Sequence, residues 1–522
     1  MPNQGIRCTA VALTAVLAAT LGFAGLSSAR AQSTGDTVRT GGGLVRGTLD
    51  GQSRVFTGIP FAAPPTGDRR WQPPQPAASW SGVRDATKRP APCPQLADSG
   101  DALMPGSSED CLYLNVTTPQ KAAAKPKPVM VWLHGGGLSG GAASDYDGRR
   151  LSRAGDVIVV TVAYRLGAIG FFGYPGLPDS GTFGVADQQA GLRWVRDNIR
   201  AFGGDPHNVT VFGESAGALS TCAQMASPAT KGLINRAIVE SGACDTNFPA
   251  NLNYPDSAAN QWWAPRDTIE DRGRELAGRL GCADLDCLRK ADLLTLVKAN
   301  GDFAQVGYGT PLLPLDPRVA LRTGAFTHVP VIQGNTREEQ GLFGWLYEED
   351  GKFDAAAYQR NLAKSFGDRA DAVVREYPPS AYDSPMRAWN VLASDRSWIC
   401  PALTSNRQLA QRVPVYSFSF ADHTAPNLVS LPGDYEHGAY HASELAYLFD
   451  IGTQLNPQQS ELSRQMVGYW TNFARSGNPN GIGLPAWPRF ADGDTTQSLQ
   501  TVGATQTDLG RDHHCDFWSR LS

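Results

Sequence analysis

Ser215 stands in the setting of a nucleophile. It is the centre of the pattern Gly-x-Ser-x-Gly at residues 213–217, after an apolar, strand-like run (209–212) and before a helix-like run of small residues (216–225). A strand, a sharp turn and a helix around such a serine are typical of a nucleophile elbow, in which the glycines leave room for the turn. The pattern predicts that the Ser215 hydroxyl attacks a carbonyl carbon, with the N–H group of Ala216 near the oxyanion.

A glycine-rich loop supplies a second part of the same chemistry. His-Gly-Gly-Gly at residues 134–137 follows the strand-like run 129–133. Successive glycines let several backbone N–H groups approach one point, because no β-carbon stands in the way. We expect the N–H groups of Gly136 and Gly137 to complete an oxyanion hole with Ala216. A flexible turn between two strands is the alternative, and the presence of both motifs, each after a strand, favours the oxyanion hole.

Other segments resemble one family nearly from end to end. They are Phe-Thr-Gly-Ile-Pro-Phe-Ala at 56–62 with prolines at 64 and 65, Trp-Ser-Gly at 80–82, Glu-Asp-Cys-Leu-Tyr-Leu-Asn-Val at 109–116, Phe-Gly-Gly-Asp-Pro at 202–206 and Phe-Ala-Arg-Ser-Gly at 473–477. With the two motifs above, they make the chain similar to the type-B carboxylesterases, which also include cholinesterases and bile-salt-activated lipases. The resemblance covers about residues 37–518. It implies an α/β-hydrolase fold, with a central, mostly parallel β-sheet flanked by helices and with large loop and helical insertions.

The serine needs a base, which in this fold is a histidine that follows the acid in the chain. The candidates are His423, His437, His441, His513 and His514. His441 lies in a loop after the strand-like run 413–420 and before an apolar helix-like run, where the fold places its base. The family's histidine motif also matches there, although Ala442 replaces its usual glycine. We expect His441 to be the base and His437, its main rival, to be a loop or pocket-wall residue.

The acid that orients the histidine is expected after the strand-like run 329–333. Two adjacent carboxylates, Glu338 and Glu339, lie in that segment. The resemblance implies Glu339, but Gln340 stands where the family usually has a glycine, so Glu338 stays the alternative. Glu214, beside the nucleophile, is expected to point away from the chemistry and to be a buried structural carboxylate.

The first 31 residues have the pattern of a secretory signal. Arg7 precedes an apolar stretch (9–26), and Ala-Arg-Ala at 29–31 forms a cleavage site. Because the apolar stretch is interrupted and ends at that site, we expect no stable membrane anchor. Residues 32–522 contain no linker, charge run or repeat, and we expect one α/β-hydrolase domain there. We interpret the chain as a secreted or periplasmic, bacterial-type member of the family.

Eight cysteines follow the apolar stretch, an even number in a chain bound for an oxidising compartment. The family pattern implies the pairs Cys93–Cys111 and Cys282–Cys287. We expect Cys222, after the elbow, to pair with Cys244, which leaves Cys400 with Cys515. Free buried thiols are the alternative, above all for Cys222.

Charge and composition limit the partners. The formal net charge is −4, and loss of Arg7 and Arg30 with the signal would make it about −6, with no basic patch to attract nucleic acid. The close histidines His437 and His441 do not form a zinc motif. The proposed chemistry needs no cofactor or metal, and the patterns carry no signal for an oligomeric state.

The expected substrate is a small-molecule carboxylic ester with a short to medium acyl or aryl group. The loop 94–110 has no aromatic side chain, so a choline ester would lack its cation–π partner. The candidate pocket residues are Leu138, Glu214, Leu342 and Phe343. Trp262 and Trp263 are expected to cap the core, with the rim of the active site as the alternative. A lipase, a hydrolase of bulky phenolic or polymeric esters and a non-catalytic binding protein are the alternative functions.

Overall fold

The protein is represented by a computed structural model that describes residues 36–120, 125–348, 352–429, 431, 435–490 and 494–521. The predicted signal peptide at residues 1–31 lies outside these ranges. The strands are β1 (Thr37–Thr40), β2 (Gly43–Arg46), β3 (Thr48–Leu49), β4 (Ser53–Pro60), β5 (Val83–Asp85), β6 (Tyr113–Pro119), β7 (Lys127–Leu133), β8 (Ile158–Val162), β9 (Gly204–Glu214), β10 (Arg236–Glu240), β11 (Asn247–Phe248), β12 (Asn260–Gln261), β13 (Trp263–Pro265), β14 (Val306–Tyr308), β15 (Val331–Thr336), β16 (Val415–Phe420), β17 (Thr495–Leu499) and β18 (Thr505–Asp508).

Helices fill much of the chain between the strands. They are α1 (Arg149–Gly155), α2 (Gly167–Gly170), α3 (Phe183–Asn198), α4 (Ala216–Ala226), α5 (Arg266–Leu280), α6 (Leu285–Arg289), α7 (Leu293–Val297), α8 (Pro317–Thr323), α9 (Ala355–Phe366), α10 (Ala370–Glu376), α11 (Pro385–Ser394), α12 (Cys400–Ala410), α13 (Leu445–Leu448), α14 (Pro457–Ser476), α15 (Leu509–Asp512) and α16 (Cys515–Leu521). A π-helical turn, Asp395–Ile399, joins α11 to α12.

The large sheet places the sequence motifs at one edge. Its strand order among the described residues is β18-β17-β16-β15-β10-β9-β7-β8-β6-β4-β3. The seven strands from β17 to β8 are parallel, and the flanking pairs are antiparallel. Since parallel strands end at the same edge, the segments after β7, β9, β15 and β16 all leave the sheet on one side. The predicted α/β fold with a mostly parallel sheet is confirmed.

The sheet strands are apolar on both faces because helices cover both sides. Every residue of β7 is buried. Along β9, Val211 packs into one apolar cluster and its neighbour Phe212 into the other, as side-chain alternation in a strand requires. The core therefore lies in two layers, one on each face of the sheet.

Four disulfides lie in the described part of the chain. The structure contains Cys93–Cys111, Cys222–Cys244, Cys282–Cys287 and Cys400–Cys515. Such bonds form and persist in oxidising compartments. Within the described ranges, no helix combines the length and the apolar character needed to span a bilayer.

Candidate active site

Ser215 occupies a tight turn between β9 and α4. Its backbone has φ 57° and ψ −123°, a left-handed conformation that is strained for a residue with a side chain. The turn is close-packed: a β-carbon on Gly213 would come within 2.5 Å of the Gly217 carbonyl group, and one on Gly217 would overlap the carbonyl oxygen of Leu133. The Ser215 N–H donates to the carbonyl oxygen of Glu240 on β10 (2.9 Å). The two glycines of the motif are therefore steric requirements of the elbow.

The glycine-rich loop after β7 packs directly on this elbow. A β-carbon on Gly135 would lie 2.7 Å from Glu214 Oε2 and 3.1 Å from Ser215 Cβ. Gly136 and Gly137 have φ values of 102° and 61°, which favour glycine. Within the described residues their N–H groups donate to no acceptor. Ala216 is the first residue of α4, so its N–H has no acceptor within its own helix.

His441 and Glu339 form a buried pair. His441 Nδ1 is 2.5 Å from Glu339 Oε2. The other carboxylate oxygen of Glu339 accepts hydrogen bonds from the Asn335 side chain and the Thr336 N–H, both at 3.0 Å. A carboxylate held in this way fixes the orientation of the imidazole and leaves Nε2 as the nitrogen that can exchange a proton.

Glu338, the other candidate acid, faces a different set of partners. Its Oε1 is 3.0 Å from Arg387 Nη2, and its Oε2 accepts a hydrogen bond from the Ala439 N–H (2.9 Å). The rival histidines are also occupied elsewhere: His437 Nδ1 lies 2.9 Å from its neighbouring carbonyl oxygen, and His423 lies 3.5 Å from Glu338. Of the two glutamates, the structure brings Glu339 to His441, while Glu338 is bonded to the backbone of the loop that carries His441.

His513 and His514 lie in a separate network near the C-terminus. His513 Nδ1 is 2.6 Å from Asp395 Oδ1, and His514 Nδ1 is 2.7 Å from Glu376 Oε1. Neither residue lines the cavity that contains Ser215.

The prediction that Glu214 points away from the chemistry was wrong. The side chain is buried as expected, but Glu214 Oε1 lies 3.0 Å from His441 Nε2, and the residue lines the same cavity as Ser215. The left-handed turn at Ser215 brings the side chains of Glu214 and Ser215 to the same cavity. Within the described residues the Ser215 hydroxyl has no hydrogen-bond partner. His441 Nε2 faces Glu214 instead of the serine in this structure.

The two carboxylates determine the proton affinity of His441. Burial lowers the pKa of His441, but the negative charges of Glu214 and Glu339 outweigh this effect and raise the pKa above its ordinary value of 6.5. Burial also raises the pKa of Glu214 to about 7, against the opposing charge of His441. His441 therefore lies between two carboxylates, with Glu339 hydrogen-bonded to Nδ1 and Glu214 within ion-pair distance of Nε2.

A cavity of about 840 Å³ opens over Ser215 and His441. Leu342 and Phe343, two predicted pocket residues, line it. Leu138, another predicted pocket residue, does not: it is fully buried in the core, at a turn with φ 60°. Trp262 lines the cavity, as the alternative had it, and is also buried in the core, whereas Trp263 donates its ring N–H to the Cys244 carbonyl oxygen.

Several aromatic wall residues have no motif in the sequence. Phe248, Tyr146 and Trp398 line the cavity, and the Trp398 ring centroid is 4.6 Å from that of His441. In the described part of the chain, no group of three or more acidic, histidine or cysteine side chains is arranged to hold a metal ion.

An α/β sheet with a serine at a strained strand–helix turn, a buried His–Glu pair and a glycine-rich donor loop defines a serine hydrolase of the α/β-hydrolase class. The profile of the Carboxylesterase family matches residues 34–518, and the chain belongs to that family.

Three curated relatives agree with this assignment. Carboxylesterase 1D of Rattus norvegicus is 35% identical, over 90% of this chain and 88% of its own length. Cocaine esterase of Homo sapiens is 35% identical (90% and 87%), and pyrethroid hydrolase Ces2e of Rattus norvegicus is 36% identical (85% and 83%). The protein is a carboxylic ester hydrolase that works as a serine hydrolase. These relatives are animal proteins and do not support the bacterial-type assignment.

Proposed function

We propose that Ser215, His441 and Glu339 are the catalytic triad of this esterase. The observation that carries the proposal is the 2.5 Å contact between His441 Nδ1 and Glu339 Oε2, beside a serine held at φ 57°. His441 removes the hydroxyl proton as Ser215 attacks the ester carbonyl, and then protonates the leaving alcohol. Water clears the acyl-enzyme through the same steps.

The oxyanion is stabilised by the N–H groups of Gly136, Gly137 and Ala216. The support for this role is that the first two N–H groups are not engaged by the described residues and that their loop packs on the elbow. Donors fixed in advance are effective because they need no reorganisation when charge develops on the oxygen.

Glu214 holds His441 between turnovers. Since Nε2 lies 3.0 Å from Glu214 Oε1, the imidazole must exchange this contact for the Ser215 hydroxyl before attack. Catalytic hydrogen bonds are often completed only when substrate is bound.

The substrates are carboxylic esters with short to medium acyl or aryl groups. The cavity of about 840 Å³ has an aromatic wall that includes Phe248, Trp262, Phe343 and Trp398, which suits flat, apolar acids. The names of two relatives record action on cocaine and on pyrethroids. We therefore favour aryl and medium acyl esters over long-chain lipids.

Export accompanies this function. The signal pattern ends near Ala31, residues 32–522 form the mature domain, and the four disulfides need an oxidising compartment. The mature enzyme is secreted or periplasmic.

The test is hydrolysis of p-nitrophenyl acetate, butyrate, benzoate and palmitate by the mature protein and by Ser215→Ala. We expect activity on the first three esters and a loss of about 10⁶-fold in kcat for the variant. Retained turnover in Ser215→Ala would reject the triad, and a preference for palmitate would reject the proposed chain length.

Glu339→Gln and Glu338→Gln form a matched pair for the acid. Because Glu339, and not Glu338, contacts the imidazole, the Glu339 change should lower kcat by about 10³- to 10⁴-fold. Glu338→Gln keeps an oxygen for the Ala439 N–H, and we expect a loss below about tenfold, on the scale of one modified hydrogen bond. The reverse order of the two losses would assign the acid to Glu338.

A further inference from the structure

A second cavity, of about 550 Å³, lies between helices α8, α12 and α16 and the segment that leads into β11. Its charged lining consists of Arg318, Arg322, Arg396, Arg407, Asp245 and Asp316. Four guanidinium groups around one cavity form a positively charged surface, in a chain whose overall charge is negative.

Two of the four arginines have carboxylate partners and two do not. Arg318 pairs with Asp316 at 2.6 Å, and Arg407 pairs with Asp494. In the described part of the chain, no carboxylate lies within ion-pair distance of Arg322 or Arg396. Asp245, the remaining acid, accepts a hydrogen bond from the Ser405 hydroxyl at 2.8 Å.

Arg396 is the least compensated of these charges. Its side chain is largely buried and donates a hydrogen bond to the amide oxygen of Asn247, at 3.2 Å. Burial lowers the pKa of Arg396, and the nearby charge of Arg369 lowers it further. A bound anion would remove this electrostatic cost, since charge-assisted bonds to guanidinium are strong when they are partly shielded from water.

Part of the remaining lining is apolar, while Asn247, Thr404 and Ser519 are polar. Pro401, Leu403 and Trp518 line the cavity together with the disulfide between Cys400 and Cys515. An inorganic anion would leave this apolar wall unused, whereas an organic acid would cover it and place its carboxylate on the arginines.

We propose that this cavity binds a small organic carboxylate through Arg396 and Arg322. The ligand belongs to the chemical class that the esterase itself releases, so the cavity is a second site for the acid product. It is distinct from the active-site cavity and shares no lining residue with it.

The wall between the two cavities links them. On β11, Asn247 lines the second cavity and Phe248 lines the first; in the π-helical turn, Arg396 lines the second and Trp398 the first. Because the Trp398 ring lies against His441, an acid bound at Arg396 rests on the element that shapes the active site. We expect it to change kcat without competing with the ester.

The experiment is calorimetric titration of the full, disulfide-bonded enzyme with butyrate after its active-site serine has been blocked with a phosphonate. Mass spectrometry verifies one phosphonyl group per chain, which checks the nucleophile separately from the second site. We expect one butyrate site, weakened at least about tenfold in Arg396→Gln because a charge-assisted bond is lost. Arg464→Gln, an exposed arginine paired with Glu461, is the matched control and should bind as wild type.

Arg322→Gln is a second test of the site that does not depend on whether Arg396→Gln folds. Arg322 is exposed on α8, so its replacement should fold and weaken butyrate binding several-fold. The proposal is overturned if the blocked enzyme binds no butyrate or if neither cavity variant weakens binding. Equal affinity for inorganic phosphate would overturn the assignment to an organic acid.

Discussion

At the scale of residues, the site is a set of charges around one imidazole. His441 lies between Glu339 at Nδ1 and Glu214 at Nε2. Both carboxylates favour the protonated ring, and together they raise its pKa above 6.5 despite burial. A base must be neutral to accept the serine proton, so the rate should rise as the pH passes through this raised value.

Glu214→Gln should move the pH at which the rate rises to a lower value. The change removes the charge that contributes most to raising the His441 pKa, and the neutral imidazole then persists to lower pH. The measurement is kcat/KM for p-nitrophenyl butyrate between pH 5 and 9, with Glu338→Gln as the control. A midpoint that stays in place, or moves up, in Glu214→Gln would contradict the electrostatic account.

At the scale of elements, the elbow depends on backbone contacts. Strands β7 and β9 are adjacent and parallel, and α4 begins directly after Ser215. Gly217, in the first turn of α4, touches the carbonyl of Leu133, the last residue of β7. This contact brings the serine beside the glycine-rich loop that follows β7.

Gly217→Ala should therefore destabilise the protein and abolish activity together. The added methyl group would displace the β7 backbone, and we expect a loss of at least about 2 kcal/mol in the free energy of unfolding. Gly278→Ala is the matched control, because Gly278 lies in α5 and a β-carbon there meets no atom within 4 Å. That change should stabilise the protein by about 0.5–1 kcal/mol.

Urea unfolding and p-nitrophenyl butyrate hydrolysis measure both variants. A Gly217→Ala enzyme with the stability and activity of wild type would show that the close contact is not required.

The sheet strands, and the sheet edge at which the site lies, could be predicted from the sequence. The reason is that each motif follows a buried apolar run. Ser215, the glycine-rich loop and the position of His441 were located in this way. The directions of side chains next to irregular backbone could not be predicted. The direction of the Glu214 side chain depends on the left-handed turn at Ser215, and that of Leu138 depends on its own positive φ. Trp398 has no local signal at all, since the π-helical turn that aims it interrupts an otherwise ordinary helical run.

At the scale of the whole molecule, disulfides close loops of very different length. Cys400–Cys515 joins residues 115 positions apart and ties α16 to α12, whereas Cys282–Cys287 spans 5 positions. A long closed loop removes more conformational freedom from the unfolded chain than a short one.

Replacing each pair with serines should cost unequal amounts of stability. The loop lengths predict about 5 kcal/mol for Cys400→Ser with Cys515→Ser, and about 2 kcal/mol for Cys282→Ser with Cys287→Ser. Urea unfolding of the two double variants under non-reducing conditions measures the difference. Equal losses would mean that loop closure does not govern the contribution of these bonds.

The order of the site residues along the chain has a consequence for biosynthesis. The oxyanion loop and Ser215 are made first, Glu339 follows, and His441 emerges only after more than four fifths of the chain has been translated. Strands β15 and β16 must also join the sheet beside β10 before acid and base meet the serine. A nascent or truncated chain is therefore inert towards the esters of the cell that makes it, and hydrolysis begins only with the completed fold.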